Sequence, residues 1–405
     1  MRIERWSAVP ALMVLLAAMM FSCGRSGAGE GSSLQGSSDG SSTGVEASAN
    51  GSSSDGSSSN SINFSSSNAS SDIDSLRPPS PLSLLAADER LEVVSANPIT
   101  PVKSQGNTSL CWAYAVLGMI ESNHIAMGDS VHLSAMYVYR QRLMELSDRY
   151  YLAGDESRFT DRGTCAVLLD LINRRGAMAY QSYPDRPVRS VPLMNKLKVM
   201  IRGAAARRAG LEEMRSSAKK ILDEALDLCP RFVFMNGAEY TAEEFAHSVC
   251  APGEYELLTS FTHHPFGRRV ALELPDNWEA HKFLNVPIDT LESRVLSALA
   301  RGRSVAWEGD VSEEGFSFSR GLAILDDKVA DSGKIDSLPS KRQQAFERGL
   351  TTDDHCMEII GLARHKKSGI LFFICKNSWG SQNPYGGLML MSQGYFRLKT
   401  ILVAL

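Results

Sequence analysis

The chain has 405 residues, of which 22% are charged and 43% hydrophobic, and its formal net charge is −4. The length allows two or three domains. The mild acidity argues against nucleic acid as a partner, and the composition excludes a collagen, a coiled coil and a multi-span membrane protein.

The N-terminal segment has the pattern of an export signal. Arg2 and Arg5 precede an apolar run over residues 8–21, which has the length of a secretory hydrophobic region and is short for a membrane span. Cys23 follows this run, and a Cys at that place resembles the lipobox of bacterial lipoproteins. We expect residues 1–22 to be a signal peptide and Cys23 to be lipidated. The alternative is an ordinary signal peptide followed by an incidental Cys.

A segment rich in Ser and Gly follows the export signal. Residues 24–75 contain 21 Ser and 9 Gly in 52 positions, with Arg25 as their only basic residue, and such a composition cannot bury a core. We expect residues 23–80 to be a disordered tether. Residues 81–405 are then the folded part, long enough for one large domain.

The first third of the folded part has three helix patterns, over residues 111–127, 135–146 and 165–175. The first of these is apolar on nearly every face, which predicts a buried helix. Thr108 or Ser109 is expected to be its N-cap. The front of the domain is therefore predicted to be helical.

The rest of the folded part changes from helices to strands. Residues 193–228 predict one or two surface helices, Thr241 begins a capping box, and Asp289 begins a further helix. Short β-branched or aromatic runs then predict strands at residues 304–307, 357–363, 370–376, 388–391 and 395–398. Helices first and an antiparallel sheet last indicate an α+β fold.

Four residues have the pattern of a nucleophilic catalytic site. Cys111 begins the first predicted helix, where unpaired N–H groups and the helix dipole favour a thiolate. Gln105 can point its amide at the same place as the Cys111 N–H group, which would make an oxyanion hole. His355 opens a predicted strand and Asn377 follows the next one, so their side chains are expected to lie side by side. The sequence predicts a Cys-His-Asn triad.

Three segments in this order resemble the papain-like cysteine peptidases: Gln-x5-Cys-Trp from Gln105, His355 in its strand, and Asn-Ser-Trp-Gly from Asn377. The resemblance implies a two-lobed fold, with a helical left lobe and an antiparallel β right lobe. It implies that Cys111 is the nucleophile, that His355 is the general acid and base, and that Asn377 orients it. It also implies that Gln105 is an oxyanion donor and that Trp379 shields the hydrogen bond between His and Asn.

The spacing of the motifs predicts an insertion. In the common papain layout the His lies about 130–150 residues after the Cys, whereas His355 follows Cys111 by 244 positions. The surplus of roughly 100 residues predicts a mostly helical insertion over about residues 190–287. This insertion and the runs at residues 285–287 and 305–311 are more similar to the bleomycin hydrolase and aminopeptidase C branch than to the lysosomal cathepsins.

Three positions depart from the family pattern. Leu110 stands where a small residue is usual, which would narrow the approach to Cys111. Arg162 precedes Gly163 where the family has a glycine pair whose backbone binds the extended substrate, and Gly163 can keep that role. Cys356 follows the catalytic His where the family has Ala or Gly.

The resemblance implies an exported cysteine peptidase that forms an acyl-enzyme, of the aminopeptidase type found in the bleomycin hydrolase branch. Two alternatives stay open: an endopeptidase of the same fold, and a catalytically silent lipoprotein that binds peptides. Residues 400–405 are an apolar run that suits a last strand as well as the tail that restricts the bleomycin hydrolase cleft to chain ends.

The expected partners are peptide or protein substrates and, through the lipid anchor, a membrane, on its periplasmic or cell-surface face. No metal or other cofactor is expected, because the adjacent His263 and His264 should diverge and no third ligand is evident. The six cysteines after Cys23 could be free or form three disulfides. The oligomeric state is left open.

Overall fold

The computed structural model describes residues 79–235 and 237–405. The predicted signal peptide, Cys23 and nearly all of the predicted tether lie outside the described residues. The helices of the described part are α1 (Pro81–Ala86), α2 (Cys111–Ala126), α3 (Ala135–Ala153), α4 (Cys165–Arg175), α5 (Ser190–Ala206), α6 (Leu211–Leu226), α7 (Ala242–Val249), α8 (Ile288–Ala300), α9 (Lys328–Asp331), α10 (Leu338–Glu347) and α11 (Gln393–Lys399).

The strands alternate with the later helices. They are β1 (Leu91–Ala96), β2 (Val233–Met235), β3 (Ala238–Tyr240), β4 (Leu257–Thr259), β5 (Arg268–Val270), β6 (Phe283–Asn285), β7 (Val305–Gly309), β8 (Phe316–Ser317), β9 (Leu322–Ala323), β10 (His355–His365), β11 (Leu371–Lys376), β12 (Leu388–Ser392) and β13 (Thr400–Ala404).

One large sheet organises the C-terminal half. Its order is β5-β6-β4-β13-β7-β10-β11-β12-β9-β8, and β1 also pairs with β10. Most neighbours are antiparallel, but β4 pairs with β6 and β9 pairs with β12 in parallel. The helical first half and the largely antiparallel second half confirm the α+β class.

Helix α2 is the centre of the helical lobe. Thirteen of its sixteen residues are buried, as expected for a helix that is apolar all round. It packs against strands β10 and β7 of the sheet and against helices α3 and α4. The helix therefore carries its first residue, Cys111, to the junction between the helical lobe and the sheet.

The segment predicted as an insertion, residues 190–287, divides into two parts. Helices α5 and α6 pack on α3, and their buried residues, such as Leu197 and Leu222, belong to the same apolar core as those of α2. The second part contains α7 and five short strands, and β4 joins the large sheet beside β13. The segment thus shares its core and its sheet with the rest of the fold.

Several element predictions need correction. Residues 395–398, predicted as a strand, lie in helix α11, because the Ser392 side chain caps the Tyr395 N–H group and both Tyr395 and Phe396 are buried. Helix α3 continues past residue 146 to a left-handed Gly154. Residues 400–404 form strand β13. Of the two interpretations of the apolar run at residues 400–405, a last strand or a tail that restricts the cleft, the structure thus favours the strand.

Among the described residues, no helix is long and apolar enough to cross a bilayer.

Candidate active site

Cys111 is the first residue of α2, and the start of this helix differs from the prediction. The N-cap is Leu110, which offers no side-chain hydrogen bond, while Ser109 donates its N–H to the Asp161 carboxylate at 3.1 Å. The prediction of Thr108 or Ser109 as N-cap is therefore wrong. The start of the helix places the positive end of its dipole at the Cys111 thiol, which favours a negative charge there.

Leu110 does not narrow the approach to Cys111. Its side chain is fully buried in the apolar core of the helical lobe. The expectation of a narrowed approach fails because the larger side chain is buried in this core and does not line the cleft.

His355 and Asn377 lie side by side, as the strand arrangement predicted. His355 begins β10 and Asn377 follows β11, and these strands pair antiparallel. His355 Nε2 lies 2.8 Å from Asn377 Oδ1, and the Ser378 N–H donates to the same oxygen at 2.7 Å. The bond from the Ser378 N–H identifies this atom as the amide oxygen, which can only accept hydrogen bonds. His355 Nε2 must therefore also be a donor. The other ring nitrogen, Nδ1, is the one that can exchange a proton with Cys111.

Trp379 covers the pair of His355 and Asn377. The ring centroids of Trp379 and His355 are 4.5 Å apart. Phe316 and Phe318 meet the Trp379 ring edge-on at 5.7 and 5.6 Å. This aromatic cluster shields the hydrogen bond from water, and Trp379 itself remains 37% exposed at the rim of the cleft.

Gln105 is held by both motif segments. Its Nε2 donates to the Thr108 carbonyl at 2.8 Å, and its Oε1 accepts from the Ser378 hydroxyl at 2.6 Å. Its own backbone N–H donates to the Ser378 carbonyl at 2.8 Å. The amide is therefore oriented in advance, with its second N–H available, and it borders the same cleft as Cys111.

The environment of Cys111 favours the thiolate. The Cys356 thiol and backbone N–H and the neighbouring His355 all stabilise the charged sulfur, and they hold the pKa of Cys111 well below its usual range despite burial. Burial raises the pKa of Cys356, so this residue stays a thiol and can donate. The sequence showed Cys356 only as a departure from the family pattern, although its place directly after His355 was a signal.

Gly163 lines the cleft beside Cys111. A Cβ atom at this position would lie 3.1 Å from Trp112 Cε2, so glycine allows the backbone to pass close to α2. The Trp112 indole N–H donates to the Asp161 carbonyl at 3.0 Å, which fixes this loop to the helix. The role of the Gly163 backbone in binding an extended substrate stays a prediction.

Acidic residues at the cleft were not predicted from the sequence. Asp276, Asp353 and Asp354 line it together with Arg162. The pair at 353 and 354 directly precedes His355, which was a usable signal. Asp276 comes from the loop between β5 and β6, and no local pattern links that loop to the cleft.

The expectation for His263 and His264 is wrong in its geometry. Both Nε2 atoms lie 3.0 Å from the Glu273 carboxylate, so the two rings converge on a third possible ligand. A second group that could hold a metal comprises Cys165, Glu308 and Cys356. The prediction that no metal is needed at the active site stays a prediction.

The six cysteines of the described part, from Cys111 to Cys375, are all free. Cys356 and Cys375 are buried thiols, in agreement with their positions inside strands.

The Peptidase C1-like family matches residues 240–403, a segment that includes His355 and Asn377. Aminopeptidase G of Lactobacillus delbrueckii subsp. lactis is 29% identical over 150 residues, which cover 36% of this chain and 33% of that protein. The matched region therefore spans a third of the length of aminopeptidase G.

Two further comparisons cover more of the chain. Mitochondrial cysteine proteinase 1 of Saccharomyces cerevisiae is 21% identical over 353 residues, covering 73% of this chain and 72% of that protein. The crystal structure of PepW from Lactobacillus rhamnosis HN001 superposes with a TM-score of 0.62 at 18% identity, covering 78% of this chain and 81% of that one.

The fold is that of the papain-like cysteine peptidases, a two-lobed α+β architecture with the cleft between helix α2 and the sheet. The match to the Peptidase C1-like family and the similar proteins confirm the predicted resemblance to papain-like cysteine peptidases, and those proteins include an aminopeptidase and a cysteine proteinase.

Proposed function

We propose that this protein is a cysteine aminopeptidase that uses Cys111, His355 and Asn377 as a catalytic triad. The proposal rests on one observation: Cys111, the first residue of α2, borders the same cleft as His355, whose Nε2 lies 2.8 Å from Asn377 Oδ1, and this environment lowers the pKa of Cys111. A buried structural cysteine would have no such partners.

The first half of the reaction forms an acyl-enzyme. His355 Nδ1 takes the Cys111 proton, and the thiolate attacks the peptide carbonyl carbon. The oxyanion is stabilised by the Cys111 N–H and by Gln105 Nε2. The imidazolium then donates its proton to the departing amine, the carbon–nitrogen bond breaks, and a thioester remains on Cys111.

The second half releases the acyl group. His355 takes a proton from water, and the hydroxide attacks the thioester carbonyl. The carbon–sulfur bond breaks, the carboxylic acid leaves, and Cys111 recovers its proton. Asn377 keeps the imidazole in the orientation that both halves require.

The preference for chain ends is supported by the relatives. Aminopeptidase G is named for this activity, and we extend it to this chain as part of the proposal. The open alternatives, an endopeptidase and a silent peptide-binding protein, predict different substrates or no turnover.

The proposed place of action is outside the cytoplasm. We propose that residues 1–22 direct export and that lipidated Cys23 anchors the protein to a membrane, with the Ser- and Gly-rich segment as a tether. This part rests on the sequence pattern alone.

The test of the enzyme proposal compares wild type with Cys111→Ala under reducing conditions. Aminoacyl coumarylamides should be cleaved by wild type, and the variant should lose at least about a thousandfold in kcat/KM. Cys229→Ala removes a thiol outside the cleft and should retain activity. Equal, near-zero rates for wild type and Cys111→Ala, with peptide still bound, would establish the silent alternative.

A further inference from the structure

Arg162 crosses the cleft next to the nucleophile. It lies in the loop before α4 on the helical side, and its Nη2 donates at 3.2 Å to the carbonyl of Asp353, two residues before His355 on the sheet side. Its Nε donates at 2.7 Å to the carboxylate of Asp276 in the β5–β6 loop. Three parts of the chain that are far apart in sequence therefore meet at one side chain and close the cleft there.

The loop that carries Asp276 is firmly held. Asn277 donates from Nδ2 to the carbonyls of Leu272 and His281 at 3.1 and 3.0 Å. Trp278 packs below Arg149, whose guanidinium lies 4.2 Å from the ring centroid. The barrier at Arg162 is thus supported by ordered structure.

Four carboxyl groups lie close to this barrier, and three have partners. Asp276 is bound by Arg162, Asp354 accepts the Val311 N–H at 2.8 Å, and Glu308 accepts the Cys165 N–H at 2.9 Å. Asp353 is the exception among them. Its Oδ2 is buried and has no hydrogen-bond partner. The residue is only 8% exposed, yet it borders the cleft.

An unpartnered buried carboxyl oxygen is costly to keep. Burial, with the nearby Asp276 charge, raises the pKa of Asp353 to about 7. A cationic ligand would remove this cost by supplying both a donor and a positive charge. Asp353 therefore has the burial and the unmet hydrogen-bonding capacity that are expected of a residue that binds a cationic ligand.

We propose that Asp353 binds the α-ammonium group of the substrate and that Arg162, held by Asp276, blocks the cleft beyond it. The α-nitrogen of a first residue is only two bonds from the scissile carbonyl carbon, so it must lie close to Cys111, as Asp353 does. A longer peptide would have to pass through Arg162. This inference rests on the proposed peptidase function and names the groups that would confine it to chain ends.

The test uses the full-length chain in detergent and three coumarylamide substrates: alanine, N-acetylalanine and N-acetyllysine. Wild type should prefer free alanine over N-acetylalanine by about 100-fold or more in kcat/KM. Asp353→Asn should reduce this preference to below about tenfold, chiefly through a higher KM for free alanine, because a charge-assisted contact is lost. Arg162→Ala should raise cleavage of N-acetylalanine by roughly tenfold, because the barrier is gone.

Two features keep these variants interpretable. Asparagine has the shape of the protonated aspartic acid that burial favours, so Asp353→Asn is expected to melt no lower than wild type at pH 8. Asp336→Asn removes an equal charge from an exposed position and should not change the preference.

Other results would overturn the ammonium site. Asp353→Asn could lower both alanine substrates equally, or N-acetyllysine could be cleaved as well as free alanine, which would assign the site to a cationic side chain. A separate measurement distinguishes this from failure of the enzyme proposal. Calorimetry on Cys111→Ala should show tighter binding of an alanine peptide than of its acetylated form, and Asp353→Asn should abolish the difference. That difference without any turnover by wild type would refute the peptidase and keep the site.

Discussion

At the scale of single residues, a second cysteine, Cys356, contributes to the lowered pKa of Cys111. Cys356 occupies the position after His355 and contributes the largest stabilisation of the Cys111 thiolate. Its own thiol stays protonated because it is buried. A residue that looked like a departure from the family pattern therefore helps to stabilise the thiolate form of Cys111, the proposed nucleophile.

Replacing Cys356 tests this role. In Cys356→Ala the stabilisation of the Cys111 thiolate by the Cys356 thiol is lost, so the pKa of Cys111 should rise and its thiolate fraction at pH 6 should fall. The loss of about 1.5 kcal/mol for a charge-assisted hydrogen bond corresponds to a roughly tenfold slower alkylation by iodoacetamide at pH 6. Mass spectrometry of the Cys111 peptide over a pH series measures the shift.

A matched control separates this effect from a general loss of stability. Cys375→Ala removes another buried thiol from the neighbouring strand β11 and leaves Cys111 and its partners in place. Its alkylation profile should match wild type. If Cys356→Ala also gave the wild-type profile, His355 alone would account for the reactivity of Cys111.

At the scale of elements, helix α2 lies very close to strand β10, and one glycine makes this possible. Gly118 sits in the middle of the helix, facing Glu358 of β10. A Cβ atom there would overlap Glu358 Oε2 and lie 3.2 Å from its Cδ. Glu358 cannot easily move, because Ser122 donates to it at 2.5 Å and Lys376 pairs with it at 3.4 Å.

Two Gly→Ala substitutions test the packing. Ala is ordinarily about 1 kcal/mol better than Gly inside a helix, but Gly118→Ala should lower the free energy of unfolding by about 2–4 kcal/mol through overpacking and disruption of a buried ion pair. Gly203→Ala in α5 meets only the flexible end of Arg207 at 3.3 Å and should be neutral or stabilising. Urea denaturation of both variants gives the comparison, and equal stability would refute the close contact.

At the scale of the whole molecule, buried charges join the two lobes. Glu121 of α2 pairs with Lys103 at 3.2 Å and accepts a hydrogen bond from Thr100. Lys376 donates to the same Thr100 hydroxyl at 2.9 Å. Because Lys376 directly precedes Asn377, this network sets the position of the triad relative to the helix that carries Cys111.

The predicted lipid anchor at Cys23 would determine where the whole molecule is located. Cys23→Ser removes the thiol to which the lipid would be attached as a thioether, so the protein should move from the membrane fraction to the aqueous fraction of the cells that express it. Cys229→Ser lies in the folded part and should remain with the membrane. Retention of Cys23→Ser in the membrane fraction would show that another segment holds the protein there.

The sequence by itself determined the parts that depend on local pattern. The all-round apolarity of α2, the capping box at Thr241 and the bounds of α4 follow from neighbouring residues. So does the pairing of His355 with Asn377, because a short turn between adjacent strands leaves few arrangements. The family resemblance rested on these same segments.

Only the tertiary structure decided what distant segments do together. No local sequence pattern links Asp276 to Arg162. The run at residues 395–398 forms a helix because Ser392 caps it, since buried aromatic residues are compatible with a helix as well as with a strand. Likewise, His263 and His264 converge because Glu273 lies between them. Burial, charge pairing and close approach act through space, so the contacts of Arg162 with Asp276 and Asp353 at the cleft appear only once the chain is folded.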